Sequence, residues 1–313
     1  MSKRGDIFPA ETSTMMDSDT GAEYSQITAA PVHSVNLYFE YSSFTVDNRT
    51  LLFLSQRIAQ RGAPYDLLGV DLEEKQMRLL SDEEHPFGSP CVAPDDPDVL
   101  YGVRGTSLWR MSIASGQDEE IARWEGGTGL AVGMLTGDGS RFVVIGTKHD
   151  GTQTLVRYDT DGSEIVTFCD GLPNCHLTVN NAGTLIMFSG DWEGLHRHPI
   201  ICDIDGGNIR ALAFTDFAHN MWHGQSSRLQ ATLLPPGHGV VQWDVDDAEA
   251  VSVCGGPYFW HSGSSLDGEW IVTDTNWPDE GLMLVHVPSG RFSPVTFPFK
   301  RGPASGNGQE THP

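Results

Sequence analysis

The sequence predicts an all-β protein with the architecture of a β-propeller. A strand–turn–strand pattern recurs at a nearly constant interval, hairpin signals follow most of its copies, and no segment carries a sustained helical pattern. Two hairpins in a period of about 42 residues give four strands, which is the size of one propeller blade.

The recurring pattern places a turn rich in Asp, Asn and Gly between two apolar strands. It occurs six times, at 43–55, 91–103, 134–146, 177–190, 224–234 and 264–274. The turn residues Asp47, Asp95, Asp138 and Asn181 are 48, 43 and 43 residues apart, and Asp267 follows after 86 residues, or two periods. The fifth copy has lost its turn Asp. Such regular spacing favours a propeller over the alternative, a pair of β-sandwiches.

A second strand–turn–strand pattern follows most copies of the first, at 65–80, 155–168, 199–213 and 240–253. Asp-Gly or Asp-Asp between apolar alternations is a hairpin signal. Residues 43–296 therefore divide into six blades. An N-terminal segment with an entry strand precedes them at 1–42, and 297–313 is too short for another blade.

Composition excludes several classes of function. Among 313 residues, 19 Lys and Arg stand against 42 Asp and Glu, a formal net charge of −23. Nucleic-acid binding needs an excess of base, so no nucleic-acid partner is expected. No apolar run is long enough to span a membrane. Five widely spaced cysteines and the lack of a secretory signal lead us to expect a cytoplasmic protein.

Histidines recur near the first strand of several blades. They are His33, His176, His219 and His261, and the C-terminal stub adds Gln309 and His312. Because equivalent positions of successive blades converge on the axis, these side chains can meet. Convergent imidazoles with an amide oxygen suit a divalent metal, and an imidazole is a base with a near-neutral pKa. The alternative is a set of unrelated surface and core histidines.

Two other residues have open interpretations. Arg197 lies between the paired strands of the fourth blade and can either clamp a carboxylate or remain a surface side chain. Trp222, next to a candidate histidine, either packs within its blade or stacks on a sugar ring.

At these residues the sequence resembles the oligogalacturonate lyases, cytoplasmic seven-bladed propeller enzymes that cleave pectin fragments. The resemblance covers 17–28, 32–55, 219–224, 260–274 and 309–313. Its most specific piece is Gln309-x-x-His312-Pro313, which is similar to the start of the family's Gln-x-x-His-Pro-His metal motif.

The resemblance implies a role for each matching residue. His261, Gln309 and His312 match metal ligands, normally for Mn²⁺. His219 matches the catalytic base and Arg197 an active-site arginine. His33 and His176 match histidines that line the substrate cleft, and Trp222 is expected beside them.

Two departures from the family qualify this expectation. The family motif continues with a second histidine ligand, and this chain ends at Pro313. Six full blades and the start of a seventh are therefore expected, with an incomplete metal site. An exposed blade edge could pair two chains into a homodimer, and the sequence leaves the oligomeric state open.

The expected reaction is metal-assisted β-elimination on a short, anionic galacturonate oligomer. His219 would remove the C5 proton of a uronate whose carboxylate is bound by the metal and Arg197. Since the net charge opposes an anionic substrate, the site must be locally positive. Two alternatives stay open: a non-catalytic propeller that binds a ligand, and a lyase for another uronic-acid oligomer.

Overall fold

The computed structural model describes residues 3–57, 62–172, 176–192, 195–213, 217–277 and 281–297, without the side chains at 190–192, 195–198 and 276–277. In these ranges the regular elements are strands, apart from one 3₁₀ turn at Val287–Ser289. No helix in the described part of the chain is both long and apolar enough to cross a membrane.

The strands follow one another with short connections. In chain order they are β1 Ile7–Pro9, β2 Ser13–Met16, β3 Glu23–Gln26, β4 Ser34–Asn36, β5 Thr50–Ser55, β6 Asp66–Asp71, β7 Gln76–Leu79, β8 Gly88–Val92, β9 Val99–Arg104, β10 Ser107–Ser112, β11 Asp118–Arg123, β12 Gly127–Leu135, β13 Arg141–Lys148, β14 Gln153–Asp159, β15 Ile165–Leu172, β16 His176–Val179, β17 Leu185–Trp192, β18 Leu195–Asp203, β19 Arg210–Ala211, β20 Phe217–Trp222, β21 Arg228–Leu233, β22 Val240–Asp244, β23 Val251–Cys254, β24 Tyr258–Ser264, β25 Trp270–Trp277, β26 Gly281–His286 and β27 Arg291–Thr296.

Six antiparallel sheets form the blades of a propeller. Blades two to six are β8–β11, β12–β15, β16–β19, β20–β23 and β24–β27, each with its four strands in chain order. Blade one is β4–β7, and β1 pairs with β7 to extend its outer edge. The predicted all-β propeller with six blades is thereby confirmed.

The innermost strands begin earlier in the sequence than we predicted. The predicted histidines precede the first strands, whereas His176 begins β16 and both His219 and His261 lie inside β20 and β24. The innermost strand of blade one, β4, lies within the segment 1–42 that we expected to hold an entry strand.

The repeated aspartate has a structural cause in the turn between the two innermost strands of a blade. Thr136 Oγ1 donates to the Asp138 carboxylate at 2.6 Å, and the same oxygen accepts from the Arg141 backbone N–H at 3.0 Å. Blades one and six repeat this turn, with Asp47 and Asp267 accepting from the hydroxyl two residues earlier. Short side chains that bond their own backbone stabilise tight turns, which explains why the aspartate recurs in these three blades.

Hydrophobic cores lie between successive blades. Val143 and Leu155 of blade three, for example, pack with Ile186 and Phe188 of blade four, and all four are essentially inaccessible. Equivalent clusters join blades one and two, two and three, four and five, and five and six. Burial of the facing sides of successive sheets provides the main driving force for packing the blades around the axis.

The hairpin of β2 and β3 packs against the end of blade six through Asp17. Its Oδ2 accepts from Thr296 Oγ1 at 2.9 Å and from the Phe297 N–H at 2.6 Å, while Oδ1 accepts from the N–H groups of Asp19 and Thr20. These bonds favour the carboxylate and hold the pKa of Asp17 well below its usual range, the Phe297 N–H contributing most. One carboxylate thus joins the two ends of the described chain.

We expect Asp17→Asn to lower the thermal midpoint at neutral pH by several degrees, because the neutral amide accepts these bonds less strongly. A group with a depressed native pKa stabilises the fold above its unfolded pKa and loses that effect as pH falls. The difference between the two proteins should therefore shrink below about pH 4. Scanning calorimetry measures it, with Asp19→Asn in the same turn as the charge-matched control; equal midpoints for Asp17→Asn and Asp19→Asn would contradict the role of Asp17.

Candidate active site

Irregularities recur in the innermost strands of four blades. In β8, β12, β20 and β24 the pairing register shifts where an extra residue is inserted opposite the second strand. Ser89, Val132 and His219 each have a positive φ there, of 48°, 56° and 46°. A β-bulge bends the strand and redirects its side chains, and bulges are common beside functional sites.

The bulges of blades five and six contain histidines. His219 and Asn220 together oppose one residue of β21, and Trp260 and His261 together oppose Asp274 of β25. For His219 the left-handed backbone is costly for a residue with a Cβ, and such strain is concentrated at functional sites. The bulges therefore mark these two histidines as candidates for function.

Aromatic and imidazole rings from four blades meet at the propeller axis. The ring centres of His219 and His261 are 4.3 Å apart. Tyr38, which follows β4, lies 5.8 Å from both His176 and His261 by ring centres, stacked on the former at 25° and edge-on to the latter. Phe39 packs 4.9 Å from His261. We call Tyr38, His176, His219 and His261 the axial cluster.

His261 is fixed by the residue that opposes its bulge. Asp274 Oδ2 lies 2.8 Å from His261 Nδ1, and Asp274 Oδ1 accepts the His261 backbone N–H at 2.5 Å. Both side chains are almost completely buried. A carboxylate only accepts hydrogen bonds, so it places a proton on Nδ1 and leaves Nε2 as the nitrogen for a ligand.

His176 is exposed on the axis side and backed by a buried carboxylate. Its Nδ1 lies 3.4 Å from Glu40 Oε1, and the side chains are 57% and 5% exposed, respectively. The hydrogen bond to Glu40 raises the pKa of His176 above the ordinary histidine value. The pair therefore presents an accessible imidazolium over a wider pH range than an isolated histidine would.

His219 has a neutral partner instead. The Tyr38 hydroxyl oxygen lies 3.3 Å from His219 Nδ1. All three histidines of the axial cluster are thus engaged at Nδ1, by Glu40, Tyr38 and Asp274. In each case chemistry toward a ligand would use Nε2.

An aromatic rim lies beside His219. The Trp260 ring centre is 4.5 Å from that of His219, and Tyr258 lies 5.6 Å beyond Trp260. Both side chains are half-buried. Partly exposed aromatic rings offer flat apolar surfaces, which suit the apolar face of a sugar ring.

The remaining sequence-predicted residues have different positions. His33 is exposed before β4, where its carbonyl accepts from the Gln56 N–H, and no ring contact joins it to the axial cluster. Trp222 is 4% exposed and packs in the core between blades four and five, so it shows the blade-packing alternative. The side chain of Arg197, on β18, and both Gln309 and His312 lie outside the described residues.

Sequence reasoning did not find Tyr38, Glu40 or Asp274. The sequence pattern consists of histidines near the start of the first strands, whereas Tyr38 and Glu40 follow the innermost strand of blade one and are not imidazoles. Asp274 could be found only by pairing β24 with β25 across a bulge, and a bulge leaves no clear signal in a single sequence.

The axial cluster contains one of the predicted metal ligands. Of the predicted ligands the structure describes one, His261, and its buried, carboxylate-backed Nδ1 is typical of a metal-binding histidine. Among the described side chains, no group of three His, Cys, Asp or Glu residues is placed to hold a metal ion. The other two predicted ligands, Gln309 and His312, lie outside the described residues.

A separate cavity of about 590 Å³ lies where the innermost strands end. Thr136, Thr178, Asn181 and Gln225 are among the residues lining it, and Glu40 lies at its boundary. It opens at the C-terminal ends of β12, β16 and β20, whereas His176 stands at the start of β16.

Comparison with solved structures shows which known proteins share this architecture. An oligogalacturonate lyase in complex with manganese matches with a TM-score of 0.78 at 19% identity, covering 95% of this chain and 86% of that one. The oligogalacturonate lyase of Vibrio parahaemolyticus matches with a TM-score of 0.77 at 17% identity, covering 94% and 86%. This chain has the fold of the oligogalacturonate lyases. The resemblance inferred from sequence is thereby confirmed at the level of fold.

Other propellers are similar over less of their own length. A puromycin hydrolase matches with a TM-score of 0.57 at 16% identity, and the match covers 94% of this chain but 52% of that enzyme. No family model matches the sequence, and no curated protein matches it.

The Glu40 carboxylate should control the protonation of His176. In Glu40→Gln the charge is lost and the shape is kept, so we expect the pKa of His176 to fall and the imidazolium to disappear at a lower pH. NMR titration of ¹³C-labelled histidine rings measures this, with the signal assigned through His176→Gln. Exposed Glu249→Gln is the matched control; a His176 pKa equal in the wild type and Glu40→Gln would contradict the pairing.

Proposed function

We propose that this protein is a lyase that cleaves short galacturonate oligomers by β-elimination at the axial cluster. The observation that carries the proposal is the set of three histidines on the axis of an oligogalacturonate lyase fold, each engaged at Nδ1 by a different partner. A base, a cation and a metal ligand are what the reaction requires, and each histidine suits one of these roles.

The base in this proposal is His219. The C5 proton of a uronate is α to a carboxylate and weakly acidic, so a base must lie close to it. His219 is half-buried beside the aromatic rim, and its partner Tyr38 carries no charge that would hold it as an imidazolium. A neutral imidazole at working pH can take the proton on Nε2.

The cation in this proposal is His176, whose pKa is raised by Glu40. Proton loss from C5 moves negative charge onto the uronate carboxylate, and a nearby positive charge stabilises that charge. Since the whole chain carries −23, an anionic substrate needs a local positive region. The exposed imidazolium of His176 supplies one among the described residues, and Arg197 would add a second.

His261, with Gln309 and His312, would hold a divalent metal, for which we propose Mn²⁺. When bound, such an ion supplies Lewis-acid stabilisation of the uronate carboxylate. Because Asp274 engages Nδ1 of His261, the ion would be held through Nε2. The lyase structure with a TM-score of 0.78 is described as a manganese complex.

The aromatic rim accounts for binding of the sugar ring. Trp260 borders His219 and remains partly exposed, so it replaces Trp222 as the residue that we propose to stack on the substrate. His33, exposed before β4, would contact a more distant part of an oligomer. The expected partners are small anionic oligosaccharides of the cytoplasm.

Incubation of the purified protein with mixed galacturonate oligomers and Mn²⁺ tests the proposal. We expect an ultraviolet-absorbing unsaturated uronate or its rearranged product, identified by mass spectrometry. Binding of the oligomers without cleavage would instead support a non-catalytic propeller. Cleavage of glucuronate-containing oligomers alone would support a lyase for another uronide.

Replacement of His219, the proposed base, should lower the rate of cleavage without changing metal binding. We expect His219→Ala to lower kcat by at least about 10²-fold, because proton transfer loses its acceptor, and to keep its metal content. His149→Ala, at an exposed site in blade three, is the control. Activity of His219→Ala equal to that of the control would remove His219 from the mechanism.

The carboxylate of Asp274, which engages Nδ1 of His261, should affect the affinity for the metal ion. Asp274→Asn keeps the shape of the side chain but weakens the hold on Nδ1, and we expect Mn²⁺ affinity to fall by about 10- to 100-fold. Isothermal titration calorimetry measures the affinity, and thermal unfolding checks the fold. Exposed Asp247→Asn is the matched control; unchanged affinity in Asp274→Asn would exclude His261 as a ligand.

A further inference from the structure

The axial cluster contains one hydrogen bond whose partner is unlike the other two. Glu40 and Asp274 are carboxylates, which only accept hydrogen bonds, so they fix a proton on Nδ1 of His176 and His261. Tyr38 occupies the same position at His219, and its hydroxyl can both donate and accept. The proposed base, His219, thus differs from the other two histidines of the axial cluster in having an uncharged partner at Nδ1.

A base that acts through Nε2 must carry its own proton on Nδ1. An isolated neutral histidine favours the opposite tautomer, with the proton on Nε2, and the hydrogen bond of the second nitrogen decides between them. A carboxylate partner would select the required tautomer but would also favour the imidazolium, which is no base. A hydroxyl oxygen can accept from Nδ1–H without adding charge.

We propose that Tyr38 is a positioning residue that holds His219 in the Nδ1–H tautomer and so makes Nε2 its basic atom. The inference rests on the proposed function, in which His219 removes the C5 proton. In this proposal the Tyr38 oxygen accepts from Nδ1–H across the 3.3 Å contact. After proton transfer, the same bond stabilises the Nδ1–H of the imidazolium.

The surroundings of Tyr38 fix it for this role. Its ring stacks on His176, meets His261 edge-on and contacts Phe39 at 4.7 Å. A turn follows at once, since the Tyr41 N–H donates to the Tyr38 carbonyl at 2.8 Å. With its ring held on three sides, the hydroxyl has little freedom to leave His219.

The backbone of His219 completes the arrangement. Its φ of 46° and the bulge at Ala218–Met221 place the ring between Tyr38 and Trp260. Backbone conformation thus fixes one end of the side chain and the hydrogen bond fixes the other. Preorganisation of this kind increases the rate through kcat, with little effect on binding.

Long-range ¹H–¹⁵N NMR of the full chain, labelled with ¹⁵N-histidine, tests the tautomer directly. The two ring nitrogens of neutral histidine have distinct shifts, and His219→Gln identifies the signals. We expect the Nδ1–H form for His219 in the wild type and a shift toward Nε2–H in Tyr38→Phe. An Nε2–H form in the wild type, or the same tautomer in both proteins, would overturn the proposal.

Kinetics provide an independent readout. We expect Tyr38→Phe to lower kcat on galacturonate oligomers by between about 10- and about 10⁴-fold with little change in KM, the upper value being the loss when a triad histidine is left in the wrong tautomer. Tyr24→Phe, in the β2–β3 hairpin, is the matched control. An unchanged kcat in Tyr38→Phe would contradict the proposal.

The two measurements separate the two hypotheses. A wild type that shows the Nδ1–H tautomer but cleaves no uronide would contradict the proposed function and leave the role of Tyr38 in the tautomer intact. A wild type that cleaves galacturonate oligomers with His219 in the Nε2–H form would contradict the positioning role alone.

Discussion

The convergence of the innermost strands on one axis is the constraint on which the rest of this structure depends. Successive sheets bury apolar residues against each other, and their innermost strands line the axis. Bulges in β20 and β24 redirect His219 and His261. Histidines from blades four, five and six, which are distant in sequence, thereby meet a tyrosine from blade one. The fold produces the axial cluster by geometry alone.

Hydrogen-bond partners give the three histidines different properties. His176 and His261 are backed by buried carboxylates, whereas His219 is backed by a hydroxyl. The same imidazole group can therefore serve as a cation, a ligand and a base within a few ångströms. This division also places a positive charge at the axis of a chain of charge −23, since the buried Glu40 carboxylate raises the pKa of His176, as the proposed anionic substrate would require.

The propeller could be predicted from the sequence because the same turn pattern recurs in several blades. The turn that contains Asp138 recurs in blades one and six with the same hydrogen bonds, so the period is visible in the residues themselves. The site was predictable only in part. The sequence predicted that His176, His219 and His261 can meet, and the structure brings them together, but Tyr38 and Glu40 meet them through contacts that span more than a hundred residues. Trp222 and Trp260 both neighbour histidines in sequence, and only the strand pairing shows that the former faces the core.

A crystal structure of the His219→Ala variant with digalacturonate and Mn²⁺ would test the central claim most directly. The account predicts the sugar at the axial cluster, with a uronate carboxylate within hydrogen-bonding distance of His176, a ring against Trp260 and C5 facing residue 219. A sugar bound in the cavity at the C-terminal ends of the innermost strands, or no sugar bound at a saturating concentration, would contradict it.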